Sequence, residues 1–496
     1  MNTNFLYDTY PIFPEIFVLG GACVLLIYGV IYGSSRSFGY PLVSLSLKWL
    51  TFQTVVFSLI LSFHQELYNM TVWNNLLVSD SFTQEVRFLI ILVFLAWFLT
   101  TFRYILYENI NPFEYWVLIL LSLSAVLFVV RAYDLLSIYL AVEFQSLVFY
   151  VLASFRRTSE FSAEAGLKYF VLGALSSAFL LFGSSLIYAL TGATNLMDLS
   201  KLFGDPSWLD TTFFDGVVVG LLLVTTALLF KLSAAPFHTW APDVYEGAPT
   251  SVTALFSAIP KIAILSLIFR FLRTGFYGFS AYWSSVVLTC AMLSILIGTL
   301  SAFSQTSWKR FFAYSSVSHA GFLLLPVLSN NGEGVSGSVF YVIVYVVSTI
   351  AVFSIFMSLR FRISVRHCQS RYLRELTGLA PNNPFLAFSL TVILFSTVGI
   401  PPLAGFFSKV FVLLPILKLG LIVPSLFVIM LSCVACFYYI RLIKCMYFDT
   451  RDILKIIHPI DRPVADILSV SIFFVLFLAY DIDFIMSSSE VMSLVF

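Results

Sequence analysis

Charge is scarce in this chain. Only 11% of its 496 residues are Asp, Glu, Lys or Arg, whereas 60% are hydrophobic and the mean hydropathy is +0.96. A water-soluble domain carries about 25% charged residues, so composition alone excludes a protein dissolved in water. The 27 basic and 26 acidic residues leave a net charge of +1, and no cluster of Lys and Arg is interleaved with aromatics. Electrostatic capture of nucleic acid is thereby excluded. Cysteine is also sparse, with six residues in all. The C-x-x-C formed by Cys433 and Cys436 lies in the apolar segment Pro424 to Tyr439 without the loop or further cysteines of an iron–sulfur cluster, so both are expected in helix packing. No glycine-rich phosphate loop occurs. The first residues, MNTNFLYDTYPIFPEIF, have neither a basic n-region nor an Arg-rich amphipathic presequence. A cleaved targeting peptide is therefore not expected, which would suit a protein made in the compartment where it is inserted.

What the chain has in abundance is apolar sequence, including 53 Phe, in blocks of about 20 residues, the length that crosses a bilayer as helix. The expectation is an all-α polytopic membrane protein with about fourteen transmembrane helices. The first seven spans are 12–32, 42–63, 82–102, 113–130, 135–155, 163–190 and 216–245. The other seven are 250–272, 281–303, 309–328, 336–359, 384–418, 423–447 and 464–480. Cationic loops mark the cytoplasmic or matrix side. With fourteen crossings, seventeen Lys and Arg fall on one face, among them Arg36, Lys48, Arg103, Arg156, Arg310, Arg360, Arg371, Arg451 and Lys455. Six fall on the other, namely Arg87, Arg131, Lys201, Arg270, Arg273 and Lys418. Both termini are expected on the poorly charged side, the intermembrane space if the membrane is the mitochondrial inner membrane.

Lys168, Lys231, Lys261 and Lys409 fall within apolar runs instead. A cation at the bilayer centre costs about 2.5–3.5 kcal/mol on insertion scales, so its retention points to function. Snorkelling or a static ion pair is the competing reading, and is strongest for Lys168, near its helix start and four residues after Glu164. A lysine stripped of water can take up and release a proton, whereas arginine stays charged, which suits lysine to a proton relay. Glu143 is the one carboxylate well inside a span, and a nearby lysine would couple to it. His238 reads equally as relay member or packing residue, and His319 reads as packing.

The spans 216–245 and 384–418 are too long for one straight crossing and contain proline, Pro236 near Lys231 and Pro401 and Pro402 near Lys409. Proline frees carbonyls that only protein or water can satisfy at that depth. Both spans are therefore expected to be broken helices. Broken helices at matching positions point to an inverted-repeat transporter core. The seventh and twelfth spans lie five apart, giving an N-terminal three-helix segment (1–112), two five-helix units (113–272 and 281–447) and a C-terminal helix (448–496).

The stretches EAGLKYFVLGALSSAFLLFG, FKLSAAPFHTWAPDVYEGAPTSVTALFSAIPKIAIL, SWKRFFAYSSVSHAGFLLL and GIPPLAGFFSKVFVL resemble the antiporter-like membrane subunits of respiratory complex I, NADH:ubiquinone oxidoreductase. These are related to subunits of multisubunit cation/proton antiporters. Within the group, YDLLSIYLAVEFQSLVFYVLASF, WAPDVYEG and FYYIRLIKCMYFDT are most similar to the subunit 2 branch, whose bacterial counterpart is subunit N. The resemblance implies proton translocation coupled to NADH-to-ubiquinone electron transfer, with FMN, iron–sulfur clusters and ubiquinone held by partner subunits and no metal or cofactor site here. It implies Glu143 and Lys231 as a charged pair, Lys261 as the central relay, Lys409 as the relay of the second half, and Lys168 and His238 as secondary members. It also implies other membrane-arm subunits, including an adjacent subunit 4, and lipids as partners. Ser251 departs from the pattern, since related chains tend to have proline there, so the start of that helix is expected to differ. Alternative readings are a subunit of the photosynthetic relative of complex I and one of a cation/proton antiporter; a membrane scaffold is the blandest.

Overall fold

A computed structural model describes residues 8–33, 44–65, 69–108, 110, 112–204, 211–329, 331–363, 366–449, 459–478 and 480–495. Arg36, Arg451 and Lys455 fall outside them. Helices α1 (Phe13–Tyr32), α2 (Ser44–Phe63) and α3 (Ser81–Tyr107) come first, with a short hairpin of β1 (Met70–Val72) and β2 (Leu77–Ser79) before α3. Next come α4 (Glu114–Arg131), α5 (Leu135–Ala153), α6 (Glu160–Thr191), the short α7 (Leu196–Gly204) and α8 (Thr211–Leu232). The middle contains α9 (Trp240–Gly247), α10 (Thr250–Phe269), α11 (Ser280–Phe303), α12 (Trp308–Leu324) and α13 (Gly332–Ser358). After a second hairpin, β3 (Arg360–Ile363) and β4 (Arg366–Gln369), follow α14 (Pro384–Val398), α15 (Ala404–Lys418), α16 (Ile422–Tyr447), α17 (Arg462–Phe477) and α18 (Asp483–Ser493).

Among the described residues, twelve helical segments are long and apolar enough to cross a membrane. The two remaining expected spans correspond to shorter helices. The span 384–418 divides into α14 and α15, 15 residues each, and the last is the 16-residue α17. Helix α10 sits at the centre with every residue buried, packed by α3, α4, α8 and α13. By contrast α1, α2, α6 and α16 keep much of their apolar surface outward, as a lipid-facing helix does.

Both proline-containing spans are interrupted. Helix α8 ends where Ser233 takes the left-handed conformation at φ 65°, and the chain re-enters helix at Trp240, whose indole Nε1 donates at 2.9 Å to the carbonyl of Phe230, which also accepts from Ser233 N. Helix α14 ends at Gly399 with φ 88°, a conformation that glycine adopts without steric penalty. A third perturbation was less legible. Pro260 lies inside α10 and cannot donate to the carbonyl four residues earlier; that carbonyl, Phe256 O, accepts instead from the Tyr245 hydroxyl at 3.2 Å. At the departure from the family pattern, α10 begins at Thr250, and the buried Ser251 hydroxyl lies 2.9 Å from Tyr115 Oη.

Four of the six cations assigned to the poorly charged face are buried and partnered. Arg131 Nε meets Glu15 at 2.7 Å and its Nη2 donates to Pro11 O at 2.6 Å. Arg87 reaches Glu15 at 3.6 Å and Gln65 at 2.7 Å. Arg270 meets Asp80 at 2.8 Å, and Arg273 donates to Ser329 Oγ at 3.3 Å. Glu15 thus clasps α1 to α3 and α4. Removing one partner of a buried ion pair costs about 3–5 kcal/mol because the survivor stays desolvated. Glu15→Gln is therefore expected to lower the unfolding temperature of the purified assembly; an unchanged value would mean that Pro11 and Gln65 suffice to hold the guanidinium groups.

Two readings are corrected. Cys433 is exposed on α16 rather than packed in a core, whereas Cys436 is half-buried and packs against the core. Lys48, counted among the loop cations, sits 7% exposed in α2 with its ammonium 3.8 Å from the Phe102 ring centroid.

Candidate functional site

Lys231 occupies the last turn of α8, immediately before the first break. Its Nζ is buried and makes no hydrogen bond, and lies 5.8 Å from the Tyr150 ring centroid. It lines a small cavity with Gln145, Ser146, Tyr169, Trp240 and, on the far side, Lys261. Glu143, on α5, is half-buried, and its Oε2 accepts from Ser146 Oγ at 3.1 Å. Among the described residues no direct ion pair within 4.0 Å joins Glu143 to Lys231; the carboxylate acts on the ammonium electrostatically, with Ser146 reaching both Glu143 and the cavity.

Lys261 projects from α10, 3% exposed. Its Nζ donates to Ser316 O on α12 at 2.8 Å and to Tyr345 Oη on α13 at 3.4 Å, while Tyr345 Oη donates onward to Ser257 O at 3.0 Å. Ser257, Ser316, Tyr345, Ser348, Thr397 and His319 line a second cavity. His319, one turn beyond Ser316, has Nδ1 2.6 Å from Tyr341 Oη and is acted on electrostatically by both Lys261 and Lys409. A third cavity shares His319, Tyr345, Ser348 and Thr397 with the second and ends at Lys409. Lys409 lies in the second turn of α15, and its Nζ donates to Val398 O at 2.5 Å. That carbonyl is in the last turn of α14, at the break, so the interruption supplies the acceptor that holds the lysine.

These contacts align Lys231, Lys261, His319 and Lys409 along successive cavities with hydroxyl groups between them. From sequence His319 reads as packing, and Tyr345 is not singled out. The signal was present in SSVSHAGF, whose Ser316 and His319 lie three apart on one helical face, and in YVIVY, where Tyr341 and Tyr345 are four apart. Lys168 sits apart. It is 40% exposed and bonded to Glu164 and Asp243, each at 2.8 Å, within a network in which Arg310 bridges Asp243 at 2.9 Å and Glu246 at 2.5 Å. His238 lies in the break between α8 and α9, its ring 6.4 Å from that of Tyr314, and outside the lining of these three cavities. No group of three or more His, Cys, Asp or Glu able to hold a metal occurs among the described residues.

Comparison with known proteins matches residues 132–435 to the family described as NADH:quinone oxidoreductase/Mrp antiporter, transmembrane. The chain is 40% identical over 480 residues to NADH-ubiquinone oxidoreductase chain 2 of Marchantia polymorpha, covering 95% of this chain and 96% of that one. It is 37% identical to NADH-quinone oxidoreductase subunit N of Parvibaculum lavamentivorans, covering 96% of each. Among solved structures, a chain of respiratory complex I from Thermus thermophilus superposes with a TM-score of 0.78 at 25% identity, covering 96% of this chain and 98% of that one. A chain of the Mrp complex from Dietzia shares the fold, with a TM-score of 0.83 at 21% identity and coverage of 98% and 97%. With matches spanning most of the chain and both broken helices, this protein belongs to the NADH:quinone oxidoreductase/Mrp antiporter membrane family.

Proposed function

We propose that this chain is a proton-translocating membrane-arm subunit of a respiratory NADH:ubiquinone oxidoreductase, of the subunit 2 and subunit N type. The observation that carries the reading is the run of cavities from Lys231 through Lys261 and His319 to Lys409. Identity to chain 2 and subunit N relatives over nearly the whole chain supports it. The chain supplies proton-exchanging side chains, while NADH oxidation and quinone reduction belong to partner subunits that hold FMN, iron–sulfur clusters and ubiquinone. A charge change at Glu143 alters the field at Lys231, and a proton leaving Lys231 finds Lys261 across the same cavity. Ser316, Tyr345 and His319 then connect Lys261 to Lys409, with water filling the gaps too long for direct transfer. Lys168 and His238 play secondary parts at the margin of this path.

The topology proposed is fourteen crossings, with the units 113–272 and 281–447 as two five-helix repeats, and both termini toward the intermembrane space of the mitochondrial inner membrane. A subunit 4 relative is the proposed lateral neighbour. Copurification separates this from an antiporter working without redox chemistry: flavin and iron–sulfur partners are expected, and their absence from an intact native assembly would favour the antiporter.

Lys409→Met tests the far end of the path. It should lower proton pumping and coupled quinone reduction while NADH oxidation by an artificial acceptor persists, since that reaction bypasses the membrane arm. Unchanged pumping in a fully assembled complex would return Lys409 to a structural role at the α14–α15 break.

A further inference from the structure

A further polar cavity lies away from the lysine path, on the cation-rich face, where α3 and α13 end and α17 begins. Its lining includes Arg103, Tyr104, Tyr107, Ser358, Arg360 and Asp461. Arg360 is 2% exposed. One of its terminal nitrogens meets Glu108 at 2.9 Å, and its guanidinium stacks 4.6 Å from the Tyr107 ring centroid, yet its Nε is buried without a hydrogen bond. Arg103 pairs with Asp461 but remains 58% exposed. Arg156 shares Glu108 with Arg360 at 2.8 Å, and Lys48 sits over the neighbouring Phe102 ring. Three arginines thus share two carboxylates with Lys48 close by, so among the described residues the cations here outnumber their acidic partners. The three helix ends put the cleft at the membrane–water boundary, and Trp49, half-exposed with its ring 5.4 Å from that of Phe102, is the residue type that marks this level. Helices α2 and α17, both packed on α3, expose apolar side chains, including Phe57, Val470 and Phe473.

We infer that this cleft binds the headgroup of an anionic phospholipid, with the phosphate accepting from Arg103 and Arg360 and the acyl chains lying along the exposed sides of α2 and α17. Guanidinium groups match phosphate in charge and geometry, and basic pockets between transmembrane helices on the cation-rich side suit such headgroups. A free phosphate would satisfy the arginines but would leave the adjoining apolar surface unused.

The intact complex in phosphatidylcholine nanodiscs doped with photoactivatable phosphatidylglycerol provides the test. Crosslinks are expected in the peptides around 98–107 and 459–470. Arg103→Gln, at an exposed position that should tolerate the change, is expected to reduce labelling there by about tenfold; Lys48→Gln serves as a second variant, with a smaller loss. Equal labelling in both variants, or by photoactivatable phosphatidylcholine in place of the anionic lipid, would overturn the proposal. Displacement of the label by inorganic phosphate alone would also overturn the lipid assignment and make the cleft a soluble-anion site.

Discussion

Lys261→Met is expected to reduce proton pumping and coupled quinone reduction by about tenfold or more, the scale associated with losing a positioned acid–base group, while NADH oxidation by an artificial acceptor continues. The reason is position. Of the two lysines among the described residues lining the first cavity, Lys261 is the one that also donates directly to groups lining the second, Ser316 and Tyr345. Methionine fills much of the same space but can neither hold a proton nor donate to those oxygens. Lys261→Arg separates charge from proton exchange, because arginine stays protonated. It should fail as the methionine variant does. Restored pumping with arginine in an assembled complex would show that a fixed positive charge at this site is enough, and the transferred proton would then need another carrier.

Glu143→Gln and Lys231→Met, alone and together, should reveal a coupled pair. With carboxylate and ammonium linked through Ser146, which bonds Glu143 and lines the cavity of Lys231, rather than by a direct ion pair, the interaction is expected at about 1 kcal/mol, near the lower part of the range for residues in one network. On a logarithmic scale of pumping rate, the double variant should therefore lose less than the two single losses combined. Losses that add would mean that Glu143 and Lys231 act independently. Assembly must be equal across the set, since Glu143 is half-buried and Lys231 Nζ fully so.

Several features were legible because they are local. A proline inside an apolar run perturbs a helix wherever the helix packs, so both breaks could be placed from Pro236, Pro401 and Pro402. Pro260 escaped because its single kink does not end the helix: Tyr245, brought in from α9, satisfies the orphaned carbonyl. The intramembrane lysines stood out for a similar reason, since a cation within twenty apolar residues is costly in any arrangement. Lys168 shared that signature yet sits at a partly exposed edge among carboxylates, because depth along a helix says nothing about the side toward which a residue faces.

The sequence by itself determined the class of protein, the approximate positions of its helices, its two interruptions and the lysines set within apolar runs, because apolar length, proline and intramembrane charge act through the chain's immediate neighbourhood. Only the tertiary structure decided which of those groups come close together. Lys261 meets Ser316 and Tyr345 from two other helices, His319 falls between two lysines that are distant in sequence, and Lys409 is held by a carbonyl that the break in its own span exposes. Each contact depends on how one helix is rotated and set in depth against another, and that is fixed by packing over the whole bundle rather than by local sequence.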